Sequence, residues 1–170
     1  MSGAEPDPVS RWHRPSDWRY PCRVAKETEC ELCAHPGGDL LWEDALCRVV
    51  RVTDPAAAAF PGFCRVVLQR HVAEMSDLSP NDAHHALDIL LATERAVRRT
   101  VRPDKINLAS LGNVVPHLHW HVIPRWQDDS HFPAPIWAGA QRAVIKRRAP
   151  ENAMLRSALE TELSTRNEMP

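Results

Sequence analysis

Three histidines at alternate positions, His117-Leu118-His119-Trp120-His121, form the densest concentration of chemistry in this sequence. Successive side chains of a strand point to opposite faces, so these histidines share one face, roughly 6–7 Å between neighbours. Leu118, Trp120 and Val122 would then fill the opposite face and pack into a core. Imidazole at neutral pH is both a nucleophile and a proton carrier, and a fixed row of three suits phosphate chemistry. The same row suits a metal, since an H-x-H pair on a strand is a common zinc arrangement. From the strand alone the two readings weigh equally. Leu111-Gly112-Asn113, just upstream, tilts the balance towards catalysis: a glycine turn lets backbone N–H groups approach a phosphate closely.

The cysteines form a second group. There are five: Cys22, Cys30, Cys33, Cys47 and Cys64. An odd count with no export signal argues against a disulfide framework. Cys47 and Cys64 sit in apolar runs and read as small core residues. Cys30-x-x-Cys33 reads as metal binding, redox chemistry or coincidence, and its companions must decide.

These groups need elements to position them. Residues 1–21 read as an extended, proline-rich arm and residues 22–170 as one domain. Leu40-Leu41-Trp42 and Ala45 to Val52 read as two strands joined at Glu43-Asp44, followed by a loop from Asp54-Pro55 to Pro61-Gly62. Phe63 to Leu68 reads as a third strand, ending at Gln69-Arg70-His71. Ser79-Pro80-Asn81-Asp82 is a helix start, with serine as N-cap and proline at the first helical position. The apolar set Ala83, Leu87, Leu90, Leu91, Val97 and Val101 gives that helix its expected inner face. Ile106 to Leu111 and Leu118 to Ile123 read as strands, the second ended by Pro124, and residues from about Glu151 to Ser164 are helical in texture.

A chain of 170 residues, 44% hydrophobic and 25% charged, can bury a core as one domain. A formal net charge of -1 gives no broad positive field for nucleic acid or an acidic membrane, so an anionic partner must be bound locally. No apolar run has the length of a membrane span, and the expectation is a cytoplasmic protein.

Taken together, these residues resemble the histidine-triad (HIT) family, whose signature is His-x-His-x-His followed by two apolar residues, here His117 to Ile123. The resemblance runs from about Leu40 to Trp137 and includes Arg70-His71, Ser76-Asp77-Leu78 and Asn107 to Asn113. It implies an α+β fold: an antiparallel sheet of about five strands, one long helix and a C-terminal helix, usually in a homodimer. It also implies a nucleotide phosphohydrolase of the diadenosine polyphosphate hydrolase branch, acting on AMP-containing substrates through a nucleotidyl-histidine. His119 would be the nucleophile and His121 would lie by the phosphate oxygens. Asn107, Gly112 and Asn113 would flank the phosphates. Asp54 would bind the ribose, although a turn-forming Asp-Pro explains it nearly as well. Nucleoside phosphoramidase, nucleotidyl transfer and non-catalytic nucleotide binding are the alternatives. Cys30, Cys33, His71 and His117 match a structural zinc set found in some relatives, and no redox cofactor is implied.

Three positions depart from the pattern, the mildest being Trp120, bulkier than the usual aliphatic residue though still suited to a core face. Phe63 stands where some phosphoramidases carry a further histidine, which favours polyphosphate over phosphoramidate. Val114 stands where a serine or threonine often touches the phosphate. His131 and the Phe132 to Trp137 segment read as loop elements able to reach a pocket. Arg125 reads as a distal phosphate contact or a surface residue.

Overall fold

A computed structural model describes residues 29–167; the N-terminal arm expected over residues 1–21, and Cys22, lie outside the described residues. The architecture is α+β. A short helix, α1 (Glu31–Ala34), leads into β1 (Asp39–Glu43) and β2 (Cys47–Arg51). Then follow β3 (Cys64–Leu68), the long helix α2 (Pro80–Val101), β4 (Lys105–Ala109), β5 (His119–Arg125) and α3 (Asn152–Asn167). The strands form one antiparallel sheet in the order β1-β2-β3-β5-β4. Its centre is thus the third and fifth strands, which carry the chemistry.

One face of the sheet packs on the helices. Cys47, Val49, Cys64, Val66, Trp120 and Val122 join α2 and α3 in the main core, as the alternation along β5 requires. Burial pushes the Cys47 and Cys64 thiols up to about 12, so both are inert packing groups. α2 begins as expected, with the Ser79 hydroxyl accepting from the Asp82 N–H and Pro80 in the first turn. Its inner face differs from the expected set. Ala86, Ile89, Leu90, Ala92, Thr93, Ala96 and Val97 are buried, whereas Leu87 and Leu91 are exposed. Ala86, Ala92 and Ala96 share the inward face with Ile89, Leu90 and Val97 in the main core.

Two boundaries also differ. The loop after Asp54 contains a 3-10 turn, Pro55–Ala59. Pro124 lies inside β5 and does not end it. The β3 pairing has already stopped at Val122, so Pro124 sits where only β4 flanks the strand. Among the described residues no helix is long and apolar enough to cross a membrane.

Candidate functional site

The sheet face away from the helices carries the site. Register places Arg65 opposite His121, Val67 opposite His119, and Arg48 opposite Val67. All of β5 is buried, since the knuckle around α1 and the segment after β5 cover the histidine face.

At one end, Cys30, Cys33, His71 and His117 converge, each offering one ligand atom within 4.8 Å of the others. His117 Nδ1 lies 3.4 Å from both sulfurs, and His71 Nδ1 lies 3.3 Å from Cys33 Sγ. Bonds of about 2.3 Å to sulfur and 2.0–2.1 Å to nitrogen in a tetrahedron place S and N roughly 3.5 Å apart. The cluster therefore has the dimensions and donor set of a four-coordinate metal site. The His117 Nε2–H donates to the Leu68 carbonyl at 2.8 Å, which turns the Nδ1 lone pair towards the sulfurs. Arg48, which the sequence reading passed over, lies beneath this knuckle. Its guanidinium donates to the carbonyls of Leu32, Pro36 and Leu68, stitching the cysteine loop to the sheet.

At the other end, the His119 Nδ1–H donates to the His117 carbonyl at 2.6 Å. That bond fixes the tautomer and leaves the Nε2 lone pair forward, 3.2 Å from His121 Nε2. Burial lowers the pKa of His119, the His117 carbonyl opposes, and the Arg65 guanidinium lowers it further. His121 falls to about 3, through burial first, then His119 and Arg65. Both rings are neutral at pH 7, the state a histidine nucleophile needs.

Two clefts meet at these rings. A larger one of about 890 Å³ is lined by His121, Phe60, Phe63, His131 and Trp137. A smaller one of about 590 Å³ is lined by His119, Glu31, Gly37, Gly38 and Val115. Asp54 and Arg65 line both. Asp54 precedes the 3-10 turn without its side chain capping it; the carboxylate instead accepts from Arg65 at 3.1 Å. The other expected phosphate contacts are not gathered here. Gly112 adopts a φ of +68°, which explains glycine in that turn, but neither it nor the exposed Asn113 lines either cleft. Asn107 accepts from the Arg125 guanidinium at 2.7 Å.

Arg125 is neither a surface residue nor a phosphate contact, because it is 1% exposed and paired with Asp129. Burial alone would raise the pKa of Asp129. Bonds from Arg125 and from the His131, Trp126 and Phe132 N–H groups win, holding it at about 2. Arg125 also donates to the Ala134 carbonyl and lies against the Phe60 and Phe132 rings. This lock shapes the turn that delivers His131 against Phe60 and Trp137 against His121, with ring centroids 5.6 and 5.1 Å apart. Arg65 did leave a sequence signal, as a lone charge inside an otherwise apolar strand, whereas Arg48 shares its strand with Arg51.

Comparison with known proteins agrees with this geometry. The model of the HIT domain matches residues 37–128. The AP-4-A phosphorylase of Mycobacterium tuberculosis is 31% identical over 78 residues, covering 42% of this chain and 40% of that protein, so the match spans about two fifths of the relative. A histidine triad protein from Marinobacter aquaeolei superposes with a TM-score of 0.60 at 26% identity, covering 79% of this chain and 94% of that one. A Zn-bound histidine triad family protein from Mycobacterium smegmatis shares the fold, with a TM-score of 0.57 at 22% identity over 82% of this chain and 99% of that one. With more than half of its length, all three triad histidines included, matching one domain model, the chain belongs to the HIT domain family of nucleotide-binding hydrolases and transferases.

Proposed function

We propose that this protein cleaves dinucleoside polyphosphates through a nucleotidyl-histidine on His119. One observation carries the reading: His119 is held by the His117 carbonyl as the tautomer with an unprotonated Nε2, which faces His121 Nε2 at 3.2 Å. In the first step the His119 Nε2 lone pair attacks the α-phosphorus. The bond from that phosphorus to its bridging oxygen breaks, and the polyphosphate leaves with the electron pair. The His121 Nε2–H turns from His119 to a non-bridging oxygen and stabilises the developing charge. Water then attacks the same phosphorus and gives up one proton to solvent. The P–N bond breaks with its electron pair returning to Nε2, and AMP leaves with His119 neutral again. Asp54 accepts from the ribose hydroxyls.

A second acceptor has support. The M. tuberculosis relative is named a phosphorylase. Inorganic phosphate in place of water would give ADP where hydrolysis gives AMP, from the same intermediate. Incubation with diadenosine tetraphosphate, with and without phosphate, followed by mass spectrometry of the quenched protein tests both readings. An AMP adduct on the His119 peptide is expected; turnover with no adduct at any quench time would overturn the covalent route.

Cys30, Cys33, His71 and His117 would hold zinc as a closed structural site, where the metal supplies cross-linking of the knuckle to the sheet and no chemistry. Metal analysis of the purified protein tests this, with one zinc per chain expected. We also propose a homodimer, because β4 is an edge strand with Leu108 exposed and Leu111 exposed just beyond it.

A further inference from the structure

Three arginines stand on the histidine face of the sheet, and their guanidinium groups are satisfied to different degrees. Register puts Arg48 opposite Val67 and Arg65 opposite His121, while Arg125 shares the His121 side of β5. All three nitrogens of Arg48 donate, to the carbonyls beneath the cysteine knuckle and to Gln69. All three of Arg125 donate as well, and its Nε and Nη2 together grip both oxygens of Asp129. Arg65 is different. Its Nη1 reaches the Gly37 carbonyl only at 3.3 Å, and its Nη2 reaches one Asp54 oxygen at 3.1 Å. Its Nε is buried with no hydrogen-bond partner.

The fork that Arg125 fills with a carboxylate is therefore half empty in Arg65. A buried N–H of a charged group costs stability when it is left unbonded, and a ligand oxygen would remove that cost. Position tells which ligand. Residues directly opposite on antiparallel strands hold their Cβ atoms about 4.5–5.5 Å apart, so the Arg65 stem starts beside His121. Among the described residues, Arg65 is also the cation common to both clefts, which meet at His119 and His121. The expected phosphate contacts are spent or turned away. Asn107 is bound to Arg125, Asn113 lines neither cleft, and Val114 has no hydroxyl. A planar guanidinium matches two oxygens of one phosphate, which a lone ammonium cannot do.

We propose that Arg65 binds the reacting phosphate through its Nε and Nη2 edge, and that Asp54 is the placeholder on that edge in the free protein. When a nucleotide enters, the phosphate takes both donors and Asp54 turns to the ribose hydroxyls. Arg65 gives hydrogen bonds and keeps its proton, and no bond of the reaction forms or breaks on it. Little is lost in the exchange, because the Asp54 carboxylate is 62% exposed and such a pair is weak. The pair thus reads ribose and phosphate together, and it selects a nucleotide over a nucleoside or a free phosphate. This deepens the nucleotide reading above and rests on it.

Binding tests the exchange apart from turnover. In a His119→Ala background, titration calorimetry would compare AMP, adenosine and inorganic pyrophosphate for the parent, Arg65→Met, Arg65→Lys and Asp54→Asn. Arg65→Met should weaken AMP at least ~10-fold and leave adenosine within ~2-fold, which also shows that the fold persists. Arg65→Lys should recover only part of the AMP loss, since it restores the charge without the fork. Asp54→Asn should move two ligands in opposite directions, weakening adenosine and tightening pyrophosphate at least ~3-fold. Adding Arg65→Met should abolish that pyrophosphate gain. Equal weakening of AMP and adenosine by Arg65→Met would make Arg65 a structural residue and overturn the proposal. So would unchanged AMP affinity, or a pyrophosphate gain that persists without Arg65. A parent that binds no AMP would strike the nucleotide reading and this exchange with it. A missing His119 adduct would strike the covalent route alone and leave these affinities standing.

Discussion

The two ends of the triad segment use the same side chain for opposite purposes. At the metal-competent end, His117 is fully buried, donates to Leu68 and faces two sulfurs, so every nitrogen is committed. Two positions later, His119 is held by one backbone carbonyl, and its other nitrogen faces only His121 Nε2 at 3.2 Å. The residue type is constant and only the second partner changes. The lesson is that a histidine's role is set by what satisfies its other nitrogen. On the proposed reading, the closed shell suits a ligand and the half-closed one a nucleophile.

The sharpest way to break this contrast is to remove one histidine from each end. His119→Ala should lower kcat on diadenosine tetraphosphate by at least ~10³-fold, since the proposed route forms its bond to phosphorus at His119 Nε2. Its melting temperature should stay within a few degrees of wild type, because the ring lines a cleft. Comparable turnover by the variant would move the nucleophile elsewhere.

At the other end the loss should appear in stability. Chelation, or Cys30→Ser, should remove the cross-link between the cysteine knuckle and β5. A site saturated 1,000-fold above its Kd stabilises by about 4 kcal/mol, which for a chain this size is roughly 8–16 °C. Differential scanning calorimetry with and without chelator reads this directly. A melting temperature indifferent to metal would make the cluster four reduced side chains and nothing more.

The contrast was partly legible in the sequence. Alternation and residue type are local, so the shared histidine face and the core side of Trp120 followed from spacing, whereas the four candidate ligands came from the resemblance to the family. What did not follow depends on register and on distant loops. Nothing near Arg65 in sequence says that it lies opposite His121, and nothing near Arg125 says that Asp129 and Asn107 enclose it. Leu87 and Leu91 misled for a related reason: a helix face is chosen by what must fit against it, and the alanines fitted. Asn107 and Asn113 matched a motif, but the fold of one chain spends the first on Arg125 and leaves the second exposed.

Acid should separate the ends more gently. His121 has a folded pKa of about 3 against an ordinary 6.5. Between those values the unfolded chain binds a proton that the folded chain refuses, so stability falls as pH drops through that window. His121→Asn should flatten that part of the curve, read as melting temperature from about pH 7 to about pH 4. An unchanged slope would show that His121 is protonated in the folded protein.

The smallest expected effect is a gain, and it probes whether the open end is complete. Val114 is 93% exposed, so its side chain contributes almost no packing. Val114→Ser should therefore shift stability by no more than ~0.5 kcal/mol. If the phosphate sits where the His119 lone pair directs it, the new hydroxyl adds one charge-assisted donor. Such a bond, made in the transition state, is worth about 1.5 kcal/mol, or roughly a tenfold rise in kcat/KM. Val114→Ala supplies the control, since it trims the side chain without adding a donor. A rise with serine alone would place residue 114 beside the reacting phosphate. Equal rates for serine and alanine would mean that the glycine turn does not reach the phosphate, leaving Arg65 and His121 as its contacts.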